Sequence, residues 1–323
     1  MTAQNNQPRT DGSITRRQFI KLSAATVGSV VIAHQTKTRA LAASKVSRDT
    51  APAMLVDLSR CIGCGNCQRS CAEANGLAPT TEQAQGLNGQ NFTYIKKVEL
   101  EDGQVRFVKR QCMHCLDAAC VSACPASALH QTPEGPISYY PNRCLGCRYC
   151  MVSCPFDIPR FEWENGLTPE IRKCMFCYER QQEGELPACV ANCPTGAIRF
   201  GTRSELLAYA HARLAANPDF YVDHIYGEHE AGGTAWLYIS DVPFESLGFR
   251  TDVTTRPIPA YTWDIMSKLP TVVGSMAVVL TGAAIATQRR KGHDPDHNVP
   301  PWEREGEGEP IEVKNTQSDQ GEG

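Results

Sequence analysis

No cysteine precedes Cys61 in this 323-residue chain, and none follows Cys193. Charge of one sign is missing too. The formal net charge is −3 with 21% charged residues, which excludes a disordered acidic chain and a basic nucleic-acid binder alike. There is no C-x-x-C-H haem attachment site and no G-x-S-x-G nucleophile elbow. What is there is a concentration. All 16 cysteines share the window from Cys61 to Cys193, while the 41% of apolar residues suffice for one or two domains with a sizeable core. Disulfide frameworks do not confine their cysteines so tightly, and ordinary cytosolic enzymes carry far fewer. The pattern points to bound metal.

The two ends read as membrane signals. Thr15-Arg16-Arg17-Gln18-Phe19-Ile20-Lys21 is a twin-arginine pattern, followed by an apolar run from Leu22 to Ala33 and by Ala40-Leu41-Ala42 as a cleavage site. Residues 1–42 are therefore expected to be a twin-arginine signal peptide, with a short anchoring or amphipathic helix as the alternative. Such export carries folded proteins, which suits a chain that acquires metal before crossing. Leu269 to Gln288 is uncharged, and at 1.5 Å per residue its 20 residues span about 30 Å, the thickness of a bilayer core. Arg289, Arg290 and Lys291 follow directly. The expectation is one transmembrane helix over 266–288 and a disordered cytoplasmic tail over 289–323, the alternative being a buried helix. The bulk of the chain then lies in the periplasm, on the outer side of the cytoplasmic membrane.

The cysteines fall into four motifs. The first is Cys61-x2-Cys64-x2-Cys67-x3-Cys71 and the third Cys144-x2-Cys147-x2-Cys150-x3-Cys154-Pro155, both with bacterial ferredoxin spacing. The second, Cys112-x2-Cys115-x4-Cys120-x3-Cys124-Pro125, and the fourth, Cys174-x2-Cys177-x11-Cys189-x3-Cys193-Pro194, are widened between their second and third cysteines. In such a motif three thiolates wrap one iron–sulfur cube and the fourth reaches a different one, so motifs work in pairs. The fourth cysteine is expected to open a helix, with proline at the first helical position. Four motifs then hold four [4Fe–4S] clusters, with all 16 cysteines as iron ligands and no iron left open for substrate. Spacing demands cross-ligation without choosing partners. Zinc remains an alternative, although its sites combine separated C-x2-C pairs and need no C-x3-C-P ending.

Cations flank the motifs. Arg60, Arg143 and Lys173 directly precede a first cysteine and Arg110 lies two before Cys112; they either raise cluster potentials or are solvated surface charges. His114 is expected to pack or to hydrogen-bond a sulfur rather than to ligate. Tyr94–Leu100 and Gln104–Lys109 alternate around Asp102-Gly103 as a hairpin, and Asn75 to Gln90 reads as an inserted loop. Ile198–Phe200 reads as a strand. Thr202-x-x-Glu205 then opens an amphipathic helix through Leu206, Leu207, Ala210 and Leu214, stopped by Asn217-Pro218, and Trp236–Ile239 is a further strand. The aromatics between Tyr221 and Tyr261 are expected in a core or a subunit contact.

The four-motif block resembles the iron–sulfur subunits that accompany molybdopterin oxidoreductases and membrane-bound hydrogenases. The resemblance rests on the leader, Gln111-Cys112-Met113-His114-Cys115, Cys144-x2-Cys147-Arg148-Tyr149-Cys150-Met151-Val152-x-Cys154-Pro155, Phe200-Gly201-Thr202-Arg203, His224-Ile225-Tyr226-Gly227-Glu228, Gly232-Gly233-Thr234 and the C-terminal span. It covers nearly the whole mature chain and is nearest to the hydrogenase-2 type; the formate dehydrogenase type is similar in the same block but usually lacks its own leader. It implies that motif one pairs with four and two with three. One cluster then takes Cys61, Cys64, Cys67 and Cys193, and a second Cys71, Cys174, Cys177 and Cys189. A third takes Cys112, Cys115, Cys120 and Cys154, and a fourth Cys124, Cys144, Cys147 and Cys150. The implied fold is α+β, with two ferredoxin-like dicluster modules over 43–203, a C-terminal extension over 204–265 and the membrane helix. The implied role is a non-catalytic electron relay. Its partners would be the small and large subunits of a [NiFe] hydrogenase, or a molybdopterin catalytic subunit of the formate dehydrogenase or polysulfide/DMSO reductase kind, and a polytopic quinone-reactive membrane subunit.

Overall fold

The computed structural model describes residues 47–78 and 86–290. The twin-arginine leader, residues 79–85 of the inserted loop and the acidic tail from residue 291 lie outside the described residues. The described residues begin with β1 (Pro52–Asp57), α1 (Asn66–Ala74), β2 (Thr93–Glu99), β3 (Val105–Gln111), α2 (Ala119–Ser122), β4 (Leu129–Gln131), β5 (Ile137–Tyr139) and α3 (Tyr149–Val152). It continues with β6 (Arg160–Phe161), β7 (Ile171–Arg172), α4 (Tyr178–Gln182), α5 (Ala188–Ala191), β8 (Ile198–Thr202), α6 (Arg203–Ala216), β9 (Trp236–Ile239), α7 (Ile258–Met266) and α8 (Leu269–Arg290).

One three-stranded sheet organises the body. β1 is central, antiparallel to β8 and parallel to β9. Because successive side chains on a strand point to opposite faces, β1 and β9 each feed two cores. Ala53, Leu55, Leu237 and Ile239 pack with Leu206, Ala210 and Leu214 of α6. Met54, Val56, Trp236 and Tyr238 turn the other way, into a core shared with Cys67, Cys71, Cys112, Cys174 and Cys189. The sheet thus separates a covering helix from the cysteine-bearing body. α6 starts where the sequence signals it: the Thr202 side chain accepts from the Glu205 backbone while the Glu205 carboxylate accepts from the Thr202 N–H, and Asn217 closes the far end.

The remaining strands form the hairpins β2-β3, β4-β5 and β6-β7. α1 packs on α5 and α2 on α3, so the motif helices meet as one–four and two–three. A third core, of Ala118, Leu129, Ile137, Cys150 and Ile171, sits under the two–three pair. β9 completes the central sheet, and the described residues up to Thr262 form one compact unit. Residues from Trp263 form a second unit. The stretch Ile258–Ile285 is, by length and composition, apolar enough to cross a membrane, and none of its best window is buried. Its helices break between Met266 and Leu269.

The cysteine loops share one backbone device. The second residue after each motif's first cysteine takes a left-handed conformation: Gly63 (φ +72), His114 (φ +47), Gly146 (φ +66) and Phe176 (φ +62). Glycine adopts this freely, whereas histidine and phenylalanine are held there by burial. A Cβ on Gly63 would also run into the Phe107 ring, whereas one on Gly65 (φ +72) would meet nothing. Gly63→Ala is therefore expected to destabilise the protein by about 1–3 kcal/mol and by clearly more than Gly65→Ala. Denaturant midpoints compare the two, and equal losses would show that the ring yields.

The fourth cysteines correct one expectation. Cys124, Cys154 and Cys193 do not open helices; each follows the short helix that carries the third cysteine of its motif. Proline next to them cannot continue that helix, so the chain turns. The amides of Ser127, Asp157 and Gly196 donate back to the carbonyls of Cys124, Cys154 and Cys193, each at 3.2 Å. Motif one lacks the proline, and α1 runs on through Cys71 to Ala74.

Candidate metal centre

Local structure gathers the thiols into quartets. Burial raises the Cys61 thiol to about 11, and the thiols of Cys67, Cys193 and Cys64 push it the same way. Burial raises Cys71 to about 12, with Cys189 and Cys177 as neighbours; Cys174, also raised by burial, has Cys71 and Cys177 beside it. Cys115 is raised well above the ordinary thiol value by burial, then by Cys154, Cys112 and Cys120. Cys150 is raised to about 11 by burial, then by Cys144, Cys147 and Cys124. The fourth cysteines of motifs one and four thus lie beside the first three of the other, and Cys154 and Cys124 stand likewise to motifs two and three.

Two quartets enclose visible hollows. Cys61, Cys64, Cys67 and Cys193 line one together with Ile62, Lys109 and Pro194. Cys124, Cys144, Cys147 and Cys150 line another together with Tyr139 and Leu145. The sulfurs surround space rather than a point. Among the described residues no three His, Cys, Asp or Glu side chains converge closely enough for a single ion. Backbone amides already point at sulfur: Ala128 N–H at Cys124 Sγ (3.2 Å), Phe176 N–H at Cys174 Sγ (3.4 Å) and Gly146 N–H at Cys144 Sγ (3.5 Å). Cys193 is held below the ordinary thiol value. Burial raises it, but the amides of Ile198, Ala197 and Thr195 and the Thr195 hydroxyl together outweigh that. Crowded buried thiolates need a multivalent cationic partner, and sulfur-directed amides are how proteins dress iron–sulfur groups, so these donor sets fit 4Fe–4S clusters.

The quartets form a row. Cys67 of the first neighbours Cys71 and Cys189 of the second. Cys174 of the second neighbours Cys112 of the third, and Cys120 of the third neighbours Cys150 of the fourth. Cys64 and Cys147, in the first and last quartets, are exposed, and all other cysteines are buried or partly so.

His114 turns out to serve the backbone. Its Nδ1 accepts from the Ile137 amide (3.0 Å) and its Nε2 therefore donates to the Cys174 carbonyl (2.9 Å), which fixes a neutral ring. Burial, then the Lys173 charge, hold its pKa well below the ordinary histidine value. The ring ties motif two to motif four and packs 4.8 Å from Phe176. The flanking cations divide. Arg143 is exposed and lies over Tyr140, Arg60 bonds the Thr195 carbonyl (2.7 Å), and Arg110 lies over Phe249. Lys173 is buried and donates to the carbonyls of Ile137 (2.7 Å) and Cys174 (3.1 Å). Sequence reasoning overlooked Lys109, which is buried and lines the first hollow. The signal was available in strand parity: Lys109 shares its face of β3 with Phe107 and Gln111.

Two family profiles match, both described as a 4Fe-4S dicluster domain, over residues 60–128 and 103–203. A protein of Nitratidesulfovibrio vulgaris is 39% identical over 289 residues, covering 85% of this chain and 78% of its own length. The hydrogenase-2 operon protein HybA of Escherichia coli O157:H7 is 35% identical over 275 residues, 72% of this chain and 83% of HybA. The chain belongs to the HybA family. A HybA-family protein with two dicluster domains is an electron-transfer iron–sulfur subunit. The family's neighbours extend to the iron–sulfur subunit of the nitrate-inducible formate dehydrogenase of E. coli K12, 37% identical over 200 residues, 58% of this chain and 67% of that subunit.

Proposed function

We propose that this chain relays electrons through four [4Fe–4S] clusters from a periplasmic [NiFe] hydrogenase to an integral membrane subunit that reduces quinone, without catalysing a reaction itself. The observation that carries the reading is the row of four cysteine quartets with an exposed cysteine only in its first and last members. Bound clusters would supply one-electron storage at each quartet. The chain's own part is to hold each group at fixed spacing, keep water from the two inner quartets and direct amides and charges at sulfur. All 16 cysteines are assigned as ligands in the pairing above, which leaves no iron open to substrate.

The twin-arginine leader over 1–42, the apolar helix near 266–288 and the basic residues after it support one topology: a four-cluster body in the periplasm, a single span and a cytoplasmic tail over 289–323. We assign 43–203 to the clusters and 204–265 to an extension that completes their fold. HybA's place as a hydrogenase-2 operon protein favours the hydrogenase partner. The formate dehydrogenase likeness supports a second reading, the same relay attached to a molybdopterin enzyme.

Affinity purification of the tagged protein from anaerobic membranes in mild detergent, followed by mass spectrometry, decides between them. Nickel–iron hydrogenase subunits with a polytopic membrane protein are the expected result. A molybdopterin subunit instead would move the electron source, and neither partner would sink the relay.

A further inference from the structure

Between the first two quartets the fold buries a charge that ordinary packing does not justify. Lys109 of β3 is 2% exposed. Its Nζ donates to Thr93 Oγ1 (2.8 Å) and Gln111 Oε1 (3.0 Å), both neutral, and lies 4.6 Å from the centre of the Trp236 ring. Neutral acceptors and an aromatic face offset only part of the cost of burying an ammonium. The remaining partners are sulfurs. Lys109 lines the hollow of the first quartet, and its charge acts on Cys67 there and on Cys71, Cys174 and Cys189 of the second.

We propose that Lys109 is a fixed cation that sets the reduction potentials of the two clusters it lies between, those of the first and second quartets. Each reduction adds one negative charge to a buried group. A nearby ammonium in a low-dielectric interior favours the reduced form, so its removal lowers the potential. Lys173 repeats the arrangement one gap along: it is equally buried, donates to the carbonyls of Ile137 and Cys174 and to Met175 Sδ (3.9 Å), and acts on Cys120 of the third quartet. Lys109 is a positioning residue in this sense; it holds charge near the clusters and touches no substrate. The inference rests on the four-cluster reading above.

The test is an EPR-monitored redox titration of the detergent-solubilised complex carrying Lys109→Met, with iron and acid-labile sulfide measured on the same preparation. A unit charge at this range is expected to change the oxidised-to-reduced ratio about tenfold, which for a one-electron couple is about 59 mV. At wild-type iron and sulfide content, at least one midpoint should fall by about that much, and Lys109→Arg should return it. A loaded Lys109→Met complex with every midpoint in place overturns the proposal. Should the methionine variant fail to load, Lys109→Gln keeps a donor for Thr93 and Gln111 and carries the same two outcomes. Native complex lacking the iron of four clusters would instead refute the reading beneath it.

Discussion

Serine in place of Cys71 should uncouple the two ends of the chain. Cys71 belongs to the second quartet, the inner station next to the first, and it sits on α1 within reach of Cys189 and Cys177. An alcohol is a poor substitute for a thiolate on iron, and the change leaves a buried quartet with three sulfurs. Loss of an outer-shell partner alone typically costs about 10–100-fold, so losing a ligand from an inner station should lower quinone-linked turnover of the purified complex by at least about 100-fold. Reduction of an artificial dye directly at the catalytic partner should persist, because the change lies outside that subunit. The two assays on one preparation separate relay from catalysis. Full quinone-linked turnover alongside a measured loss of iron would refute a linear relay, since electrons would be bypassing the second quartet.

The same quartet shows how much of the site was legible in the sequence. Motif spacing grouped all 16 cysteines and led to the expectation of cross-ligation, because three thiolates on a tight loop and a fourth three residues on are not expected to reach one cube. Which motif lies beside which was invisible to spacing. It follows from α1 meeting α5 and α2 meeting α3, contacts made across long stretches of chain. The hairpin β2-β3, the capped helix α6 and the strand β9 were readable because each carries a local signal: Asp102-Gly103, the Thr202–Glu205 box and a short apolar run. β1 was not anticipated. Its six residues, Pro-Ala-Met-Leu-Val-Asp, are buried on both faces and lack the alternation that announces a half-exposed strand. Lys109 was missed because a lysine in a strand reads as solvent-facing, and only its parity with Phe107 and Gln111 indicates otherwise. Lys173 stood beside Cys174 in the sequence, yet adjacency did not distinguish it from the exposed Arg143, which occupies the equivalent place before Cys144.

Trp236→Ala should be the most damaging single change outside the cysteines. Trp236 is 0% exposed on β9, pairs in register with Met54 of β1, meets the Phe176 ring edge-on at 6.2 Å and carries Lys109 over its face. Truncating a fully buried tryptophan costs about 3–5 kcal/mol, because the surrounding side chains collapse only partly into the space. Here the collapse is hindered further: Phe176 is held in a left-handed turn between Cys174 and Cys177, and Lys109 cannot move into an apolar void without losing its ring contact. The expected result is a loss of that size in equilibrium unfolding of the loaded protein, with lower iron recovery on purification. A loss under about 1 kcal/mol would mean that residues 204–265 sit on the cluster body as an accessory. The larger loss follows if the extension is a working wall of the first two quartets. β9 supplies the third strand of the central sheet, and Tyr238 donates to the Lys109 carbonyl at 3.0 Å, so this segment supports the strand that holds the buried cation in place.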